Sequence, residues 1–148
     1  MRNSARVVTS RRIILDANIL VRAVLGARVA DIIQRHGDAA TFFAPELAFV
    51  EAARHLPTIV GKRGFDPAPL LDSLGQLREV VDVVPSDVTE PLKEASLIRI
   101  GARDPMDWPI VAAALALGCP IWTEDKDFFG SGIATWTSDR VEIYLGGS

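Results

Sequence analysis

Acidic residues able to do acid–base or metal chemistry fall in four separated stretches of this chain. They are Asp16 in "IILDANIL", Glu46 and Glu51 in "PELAFVEAARHL", Asp104 and Asp107 in "RDPMDWPIV", and Glu124, Asp125 and Asp127 in "IWTEDKDFF". Three or four carboxylates meeting in one cleft raise one another's pKa values and repel. A hard divalent cation resolves that conflict, because magnesium and manganese favour carboxylate and water oxygens. Such an ion activates water and polarises a phosphate. Taken singly, each acid has a plainer role. Asp16 and Asp107 are placed to cap helices, and Asp125 and Asp127 suit a turn before Phe128 and Gly130. Glu51 suits a solvated helix face, and Glu46 suits the positive end of its helix. His36 and His55 fit helix C-terminal or surface positions and are too few to build a metal site.

The chemistry therefore depends on which elements carry these residues. Ile13, Ile14 and Leu15 form an apolar run that reads as a buried strand, and Ile19, Leu20, Ala23 and Val24 continue at helical spacing. "VADIIQRHG" reads as a second helix stopped by Gly37, and "TFFA" as a second strand. "PELAFVEAARHL" follows as a helix with Pro45 in its first turn and Leu47, Val50 and Leu56 on one face. "PTIVGKRGFDP" reads as a loop, with Thr58 to Val60 open to a continuation of the helix. "APLLDSLGQLREV" is amphipathic and "VDVVP" is a third strand. "SDVTEPLKEASLIRIGA" is expected as a helix with Ser86 and Asp87 as caps and Pro91 in or near its first turn. "DWPIVAAALALG" is a helix stopped by Gly118, "PIWT" is a fourth strand, and either "IATWT" or "VEIYL" supplies a fifth.

Strands separated by helical patterns predict βαβ units with right-handed crossovers and an α/β fold. Its mostly parallel sheet of about five strands is flanked by helices on both faces. In such sheets functional groups collect beyond the carboxyl ends of the strands. Asp16 ends strand one, Asp125 follows "PIWT" by two residues, and Asp107 opens the helix that leads back into strand four. All three are expected at one sheet edge. Glu46 and Glu51 are five residues apart on one helix, about 140° apart around its axis, so they cannot both face the cleft.

A chain of 148 residues, 49% hydrophobic and 24% charged, is globular and of a length for one domain, residues 1–148. Residues 1–10 are expected to form an arm. No apolar run is long enough to span a membrane. The early arginines are not followed by the pattern of a signal peptide, so a cytoplasmic location is expected. The single cysteine, Cys119, excludes an intrachain disulfide and a multi-cysteine zinc site. A net charge of −3 argues against strong non-specific nucleic-acid binding. Arg11, Arg12, Arg22, Lys62 and Arg63 remain as phosphate contacts, although a scattered solvated surface is the plainer reading of most of them.

In order and spacing, "IILDANILVRAVLG", the glutamate of "PELAFVEAARHL", "RDPMDWPIVAAALALG" and "IWTEDKDFF" resemble PIN-domain ribonucleases, and particularly the VapC-like toxins. The resemblance runs from about residue 12 to 137. It implies a three-layer PIN-like fold and a Mg²⁺- or Mn²⁺-dependent endoribonuclease. It implies in-line attack of an activated water on RNA, leaving a 5′-phosphate and a 3′-hydroxyl. Asp16, Glu51, Asp107 and Asp125 fall on the catalytic positions, the three aspartates as metal ligands. Asn18, Asp104, Thr123 and Asp127 fall on supporting ones. A cognate antitoxin and a homodimer are the partners the resemblance implies. Glu124 is an additional carboxylate in the last motif, and Pro57 to Pro85 carries no signature of the family. A housekeeping PIN nuclease is the alternative within the same chemistry. A non-catalytic PIN scaffold is the alternative outside it, and four intact acids argue against that. A phosphatase of the haloacid dehalogenase type would want an aspartate where Asn18 stands.

Overall fold

An uninterrupted apolar run suits a strand covered on both faces. In the computed structural model, which describes residues 11–101 and 103–146, Ile13, Ile14 and Leu15 are fully buried at the centre of the sheet. The expected arm at residues 1–10 lies outside the described residues. The five strands are β1 (Arg11–Leu15), β2 (Ala40–Pro45), β3 (Val81–Val84), β4 (Ile121–Trp122) and β5 (Thr135–Trp136). They are all parallel, in the order β3-β2-β1-β4-β5. The chain steps outward from β1 through β2 to β3, then returns to the other side of β1 as β4. The crevice at this switch point lies between the carboxyl ends of β1 and β4, where Asp16 and the "TEDKDFF" segment emerge.

Helices flank the sheet. Those of the first half are α1 (Ala17–Leu25), α2 (Arg28–Arg35), α3 (Glu46–Gly61) and α4 (Ala68–Leu77). Those of the second half are α5 (Ser86–Thr89), α6 (Lys93–Ile100), α7 (Trp108–Leu117) and α8 (Val141–Leu145). α1 packs on α2, α3 and α4, whereas α7 packs on α5, α6, β1 and β2. Residues Trp108 to Ala114 of α7 are all buried, and the alanines let its backbone come close to its neighbours. Gly118 ends α7 in the left-handed region, at φ 63° and ψ 42°, where a side chain would be strained.

Several sequence expectations are corrected, most of them at prolines. Pro45 closes β2 in an extended conformation and precedes the helix rather than opening it. α3 runs through Pro57 to Gly61. A proline inside a helix loses one hydrogen bond and strains the preceding turn, but Leu56 and Val60, on either side, are both buried in the core and keep the helix on its packing face. Pro91 does break its helix. α5 passes through a 3₁₀ turn, Glu90–Leu92, before α6 starts. Ser86 and Asp87 lie inside α5 and cap nothing. Of the two candidates for the fifth strand, "IATWT" supplies it and "VEIYL" is α8. Tyr144 of α8 stacks on Trp136 with centroids 5.8 Å apart and donates a hydrogen bond to the Arg12 carbonyl at 2.7 Å.

Candidate active site

Asp16 is the first residue past β1 and is 5% exposed. One carboxylate oxygen accepts the Ile19 backbone N–H at 2.9 Å and caps α1, and the other accepts the Thr123 hydroxyl. Burial pushes its pKa up to about 6. The two hydrogen bonds work against that rise, and the charges of Asp125 and Glu51 add to it. Capping and membership of an acidic group are thus both true of Asp16. Thr123, at the end of β4, ties the two edges of the crevice together. Its oxygen donates to Asp16 and accepts the Asp125 backbone N–H at 2.9 Å. Asp125 in turn accepts the Asp127 N–H at 2.9 Å and caps the 3₁₀ turn Lys126–Phe128, which buries Phe128. Glu124, the additional acid of this motif, accepts the Ser138 N–H at 2.6 Å and braces the segment after β5.

Asp107 behaves differently. It ends a 3₁₀ turn, Pro105–Asp107, whose cap is Asp104, accepting the Met106 N–H at 3.1 Å. Its own side chain makes no capping bond to α7. Its Oδ2 is buried with no hydrogen-bond partner among the described residues. Burial first, then the charges of Asp104, Asp125, Asp16 and Glu51, push its pKa up to about 7. Asp104, Asp107 and Asp127 each present a carboxylate oxygen within 4.8 Å of the others. The tightest grouping of acids thus joins Asp107 to two residues expected only in support. Asp16 and Asp125 bear on Asp107 through their charges.

The two glutamates of α3 part as their spacing requires. Glu51 borders a cavity of about 110 Å³ together with Ala17, Asp107, Trp108 and Arg54. Glu46 pairs instead with Arg78, at 3.1 and 3.4 Å, and that guanidinium lies 4.5 Å over the Phe49 ring. Asn18 is exposed on α1. None of the five cations expected to meet phosphate borders the cavity. Arg11 and Arg12 stand at the amino end of β1, and Arg11 lies 5.4 Å over the Tyr144 ring. Arg22 lines a separate groove with Arg28 and Ser138, and Lys62 and Arg63 are exposed beyond the far end of α3. The basic residue at the cavity is Arg54, which sequence reasoning passed over. Its signal was present, since residues three apart share a helix face and Arg54 follows Glu51 by three.

An unpartnered buried carboxylate oxygen among converging acids suits a divalent cation. The donors are all carboxylates, the hard oxygen set that magnesium and manganese favour, so the residues fit such an ion.

Parallel order, a switch-point crevice and acids gathered beyond β1 and β4 define an α/β domain with a carboxylate-centred site. A family model described as the PIN domain matches residues 14–146, and the chain belongs to the PIN domain family. Solved structures share its fold. PAE2754 from Pyrobaculum aerophilum superposes with a TM-score of 0.71 at 15% identity, covering 93% of this chain and 91% of that one. VapBC2 from Rickettsia felis, bound to a DNA fragment from its promoter, gives 0.64 at 11% identity, covering 85% and 98%. A toxin–antitoxin complex from Klebsiella pneumoniae gives 0.59 at 12% identity, covering 85% and 97%. No curated protein sequence matches the chain. No helix among the described residues is long and apolar enough to cross a membrane.

Proposed function

We propose that this protein, one domain over residues 1–148, is a metal-dependent endoribonuclease of the VapC-like toxin type. The observation that carries the reading is the buried Oδ2 of Asp107, which has no partner among the described residues and on which the charges of four further acids bear. Asp16, Glu51, Asp107 and Asp125 form the catalytic group, with Asp104, Asp127, Thr123 and Asn18 in support. Asp107 would hold Mg²⁺ or Mn²⁺ together with Asp16 and Asp125 or with Asp104 and Asp127. The bound ion would lower the pKa of a water and polarise a phosphoryl oxygen.

The chain's own residues do the rest. Thr123 and the Ile19 N–H fix both oxygens of Asp16, so its carboxylate meets the site in one orientation. Asp107, its pKa pushed up to about 7 by burial and by neighbouring acids, would release its proton to a bound cation's advantage near neutral pH. Glu51, across the cavity from the aspartates' turn, orients the attacking water. Trp108, Pro109 and Ala17 keep the cavity wall apolar, which strengthens charge interactions inside it.

Structural likeness to a toxin–antitoxin complex supports an antitoxin as partner. The family resemblance supports a cytoplasmic location and a homodimer. The test is cleavage of structured and unstructured RNAs with and without Mn²⁺, beside Asp16→Asn. Metal-dependent cleavage lost in the variant is expected. No cleavage with Mn²⁺, or equal cleavage by the variant, would contradict the reading.

A further inference from the structure

Two short turns carry acids that face one another. Asp127 lies in the 3₁₀ turn Lys126–Phe128 after β4, and Asp107 ends the 3₁₀ turn Pro105–Asp107 that Asp104 caps. Their carboxylate oxygens come within 4.8 Å of one another, and Asp104 is the charge that bears most on Asp107. Like charges this close repel, so the acids themselves push the two turns apart. No salt bridge joins the turns among the described residues.

Arg103 bridges them. It precedes Asp104 in the chain, and its Nη1 donates to the Lys126 carbonyl at 3.2 Å and to the Phe129 carbonyl. Among the described residues these are the hydrogen bonds that cross from one turn to the other. They close on either side of Asp127. The Lys126 carbonyl already accepts the Phe129 N–H at 2.9 Å, so there the guanidinium adds a bond rather than supplying one the turn lacks.

Arg99, on α6, offers the contrast. It donates to the Ser131 carbonyl at 2.9 Å, beyond the acids. Gly132 beside it has φ 84°, and a Cβ there would lie 2.7 Å from the Arg99 Nη1. Arg99 thus packs the far end of the loop, whereas Arg103 spans the gap between the acids.

We propose that Arg103 is a positioning residue, which holds the turn of Asp127 against the turn of Asp104 and Asp107 so that a divalent cation finds the three carboxylates already assembled. This rests on the metal-dependent reading above and adds the residue that assembles the ligands. Arg103 acts through the loop and touches neither ion nor substrate.

The experiment is calorimetric titration of Mn²⁺ into the full chain, beside thermal melting of the metal-free protein. The proteins are the unmodified chain, Arg103→Ala, Arg103→Lys and Arg99→Ala, and each is melted again in combination with Asp127→Asn. Arg103 is exposed, so its variants should keep the fold. Arg103→Ala should weaken Mn²⁺ binding about ten- to a hundredfold, as loss of a group that orients metal ligands does. Arg103→Lys should recover part of that loss, because both bonds leave one nitrogen and an ammonium keeps three donors. Arg99→Ala should melt lower yet keep its Mn²⁺ affinity within about twofold, being independent of the acids. In the metal-free protein Arg103→Ala should lower the melting temperature, and Asp127→Asn should about halve that drop by removing the charge the bridge opposes. The drop in Arg99→Ala should be the same in both backgrounds. Unchanged Mn²⁺ affinity in Arg103→Ala, or an equal loss in Arg99→Ala, would overturn the proposal while leaving the nuclease reading standing. So would an Arg103→Ala drop in melting temperature that Asp127→Asn does not alter. If the unmodified chain binds no Mn²⁺ and cleaves no RNA, the nuclease reading falls and this proposal with it.

Discussion

The paired acids at the amino edge of the sheet and those of the crevice at its carboxyl edge are treated in opposite ways. At the amino edge, beside the start of β1 and β2, two acids are paired with cations. Glu142 meets Arg35 at 2.7 Å and His36 at 2.8 Å, and Asp31 meets Arg35 at 2.9 Å. His36 first, and then Arg35, hold the Glu142 carboxyl below its usual range. At the carboxyl edge none of Asp16, Glu51, Asp104, Asp107, Asp125 and Asp127 forms an ion pair among the described residues. There burial and neighbouring acids push Asp16 and Asp107 upward, to about 6 and about 7. The same side-chain chemistry stabilises one edge and strains the other. Strain that the fold leaves in place is what a bound cation can relieve.

The comparison breaks first at Asp107. Asp107→Asn should lower the cleavage rate by about a thousandfold or more, since a metal's stabilisation of developing charge is worth several kcal/mol. The rate is measured with saturating Mn²⁺ beside circular dichroism to show an intact fold. A rate within tenfold of the unmodified chain would place the site elsewhere.

The next effect is on stability. Both raised values lie above the ordinary carboxylate range, so the stability these groups contribute is full below about pH 4. It is lost as pH climbs through about 6 for Asp16 and about 7 for Asp107. For Asp16, buried throughout, the rise is worth on the order of 3 kcal/mol. Metal-free protein should therefore melt at a lower temperature at pH 8 than at pH 5. Asp16→Asn and Asp107→Asn should each flatten that slope, and Mn²⁺ should restore the melting temperature at pH 8. A melting temperature that rises with pH in the absence of metal would contradict the raised values.

The glutamates of α3 sharpen the contrast. Glu51→Gln should reduce metal affinity or turnover about ten- to a hundredfold, as loss of a group orienting the site does. Glu46→Gln should cost only a few tenths to about 1 kcal/mol of stability, through its pairing with Arg78 and its place in the first turn. If Glu46→Gln removes cleavage and Glu51→Gln does not, the assignment of the glutamate is wrong. The smallest effect belongs to the amino edge. Glu142→Gln should cost at most about 1 kcal/mol, because Glu142 and its partner Arg35 are exposed and screened, and should leave cleavage unchanged.

The strand–acid–helix junction at Asp16 was readable because a fully buried strand must be an apolar run, and here a capping acid follows it. The same is true of the helix from Trp108 to Gly118, whose alanines and terminal glycine leave little choice. The passage of α3 through Pro57 was not readable. The local penalty of a proline is visible in sequence, but the burial of Leu56 and Val60 that outweighs it depends on distant neighbours. "VEIYL" carries β-type residues and becomes a helix because Tyr144 finds Trp136 and the Arg12 carbonyl. For the site, spacing and topology named the edge at which the acids gather. They did not say which oxygens would be occupied. Thr123 commits one oxygen of Asp16 and the Ile19 N–H the other, whereas Asp107, equally suited to capping, caps nothing. Only packing decides that difference, and it moves the centre of the acidic group from Asp16 to Asp107.

Titration of Mn²⁺ into the protein at pH 7.5, followed by calorimetry for the unmodified chain and for Asp107→Asn, tests this account most directly. Saturable binding to the unmodified chain, accompanied by proton release and lost in Asp107→Asn, is the expected result. Equal binding by both proteins, or none by the unmodified chain, would contradict it.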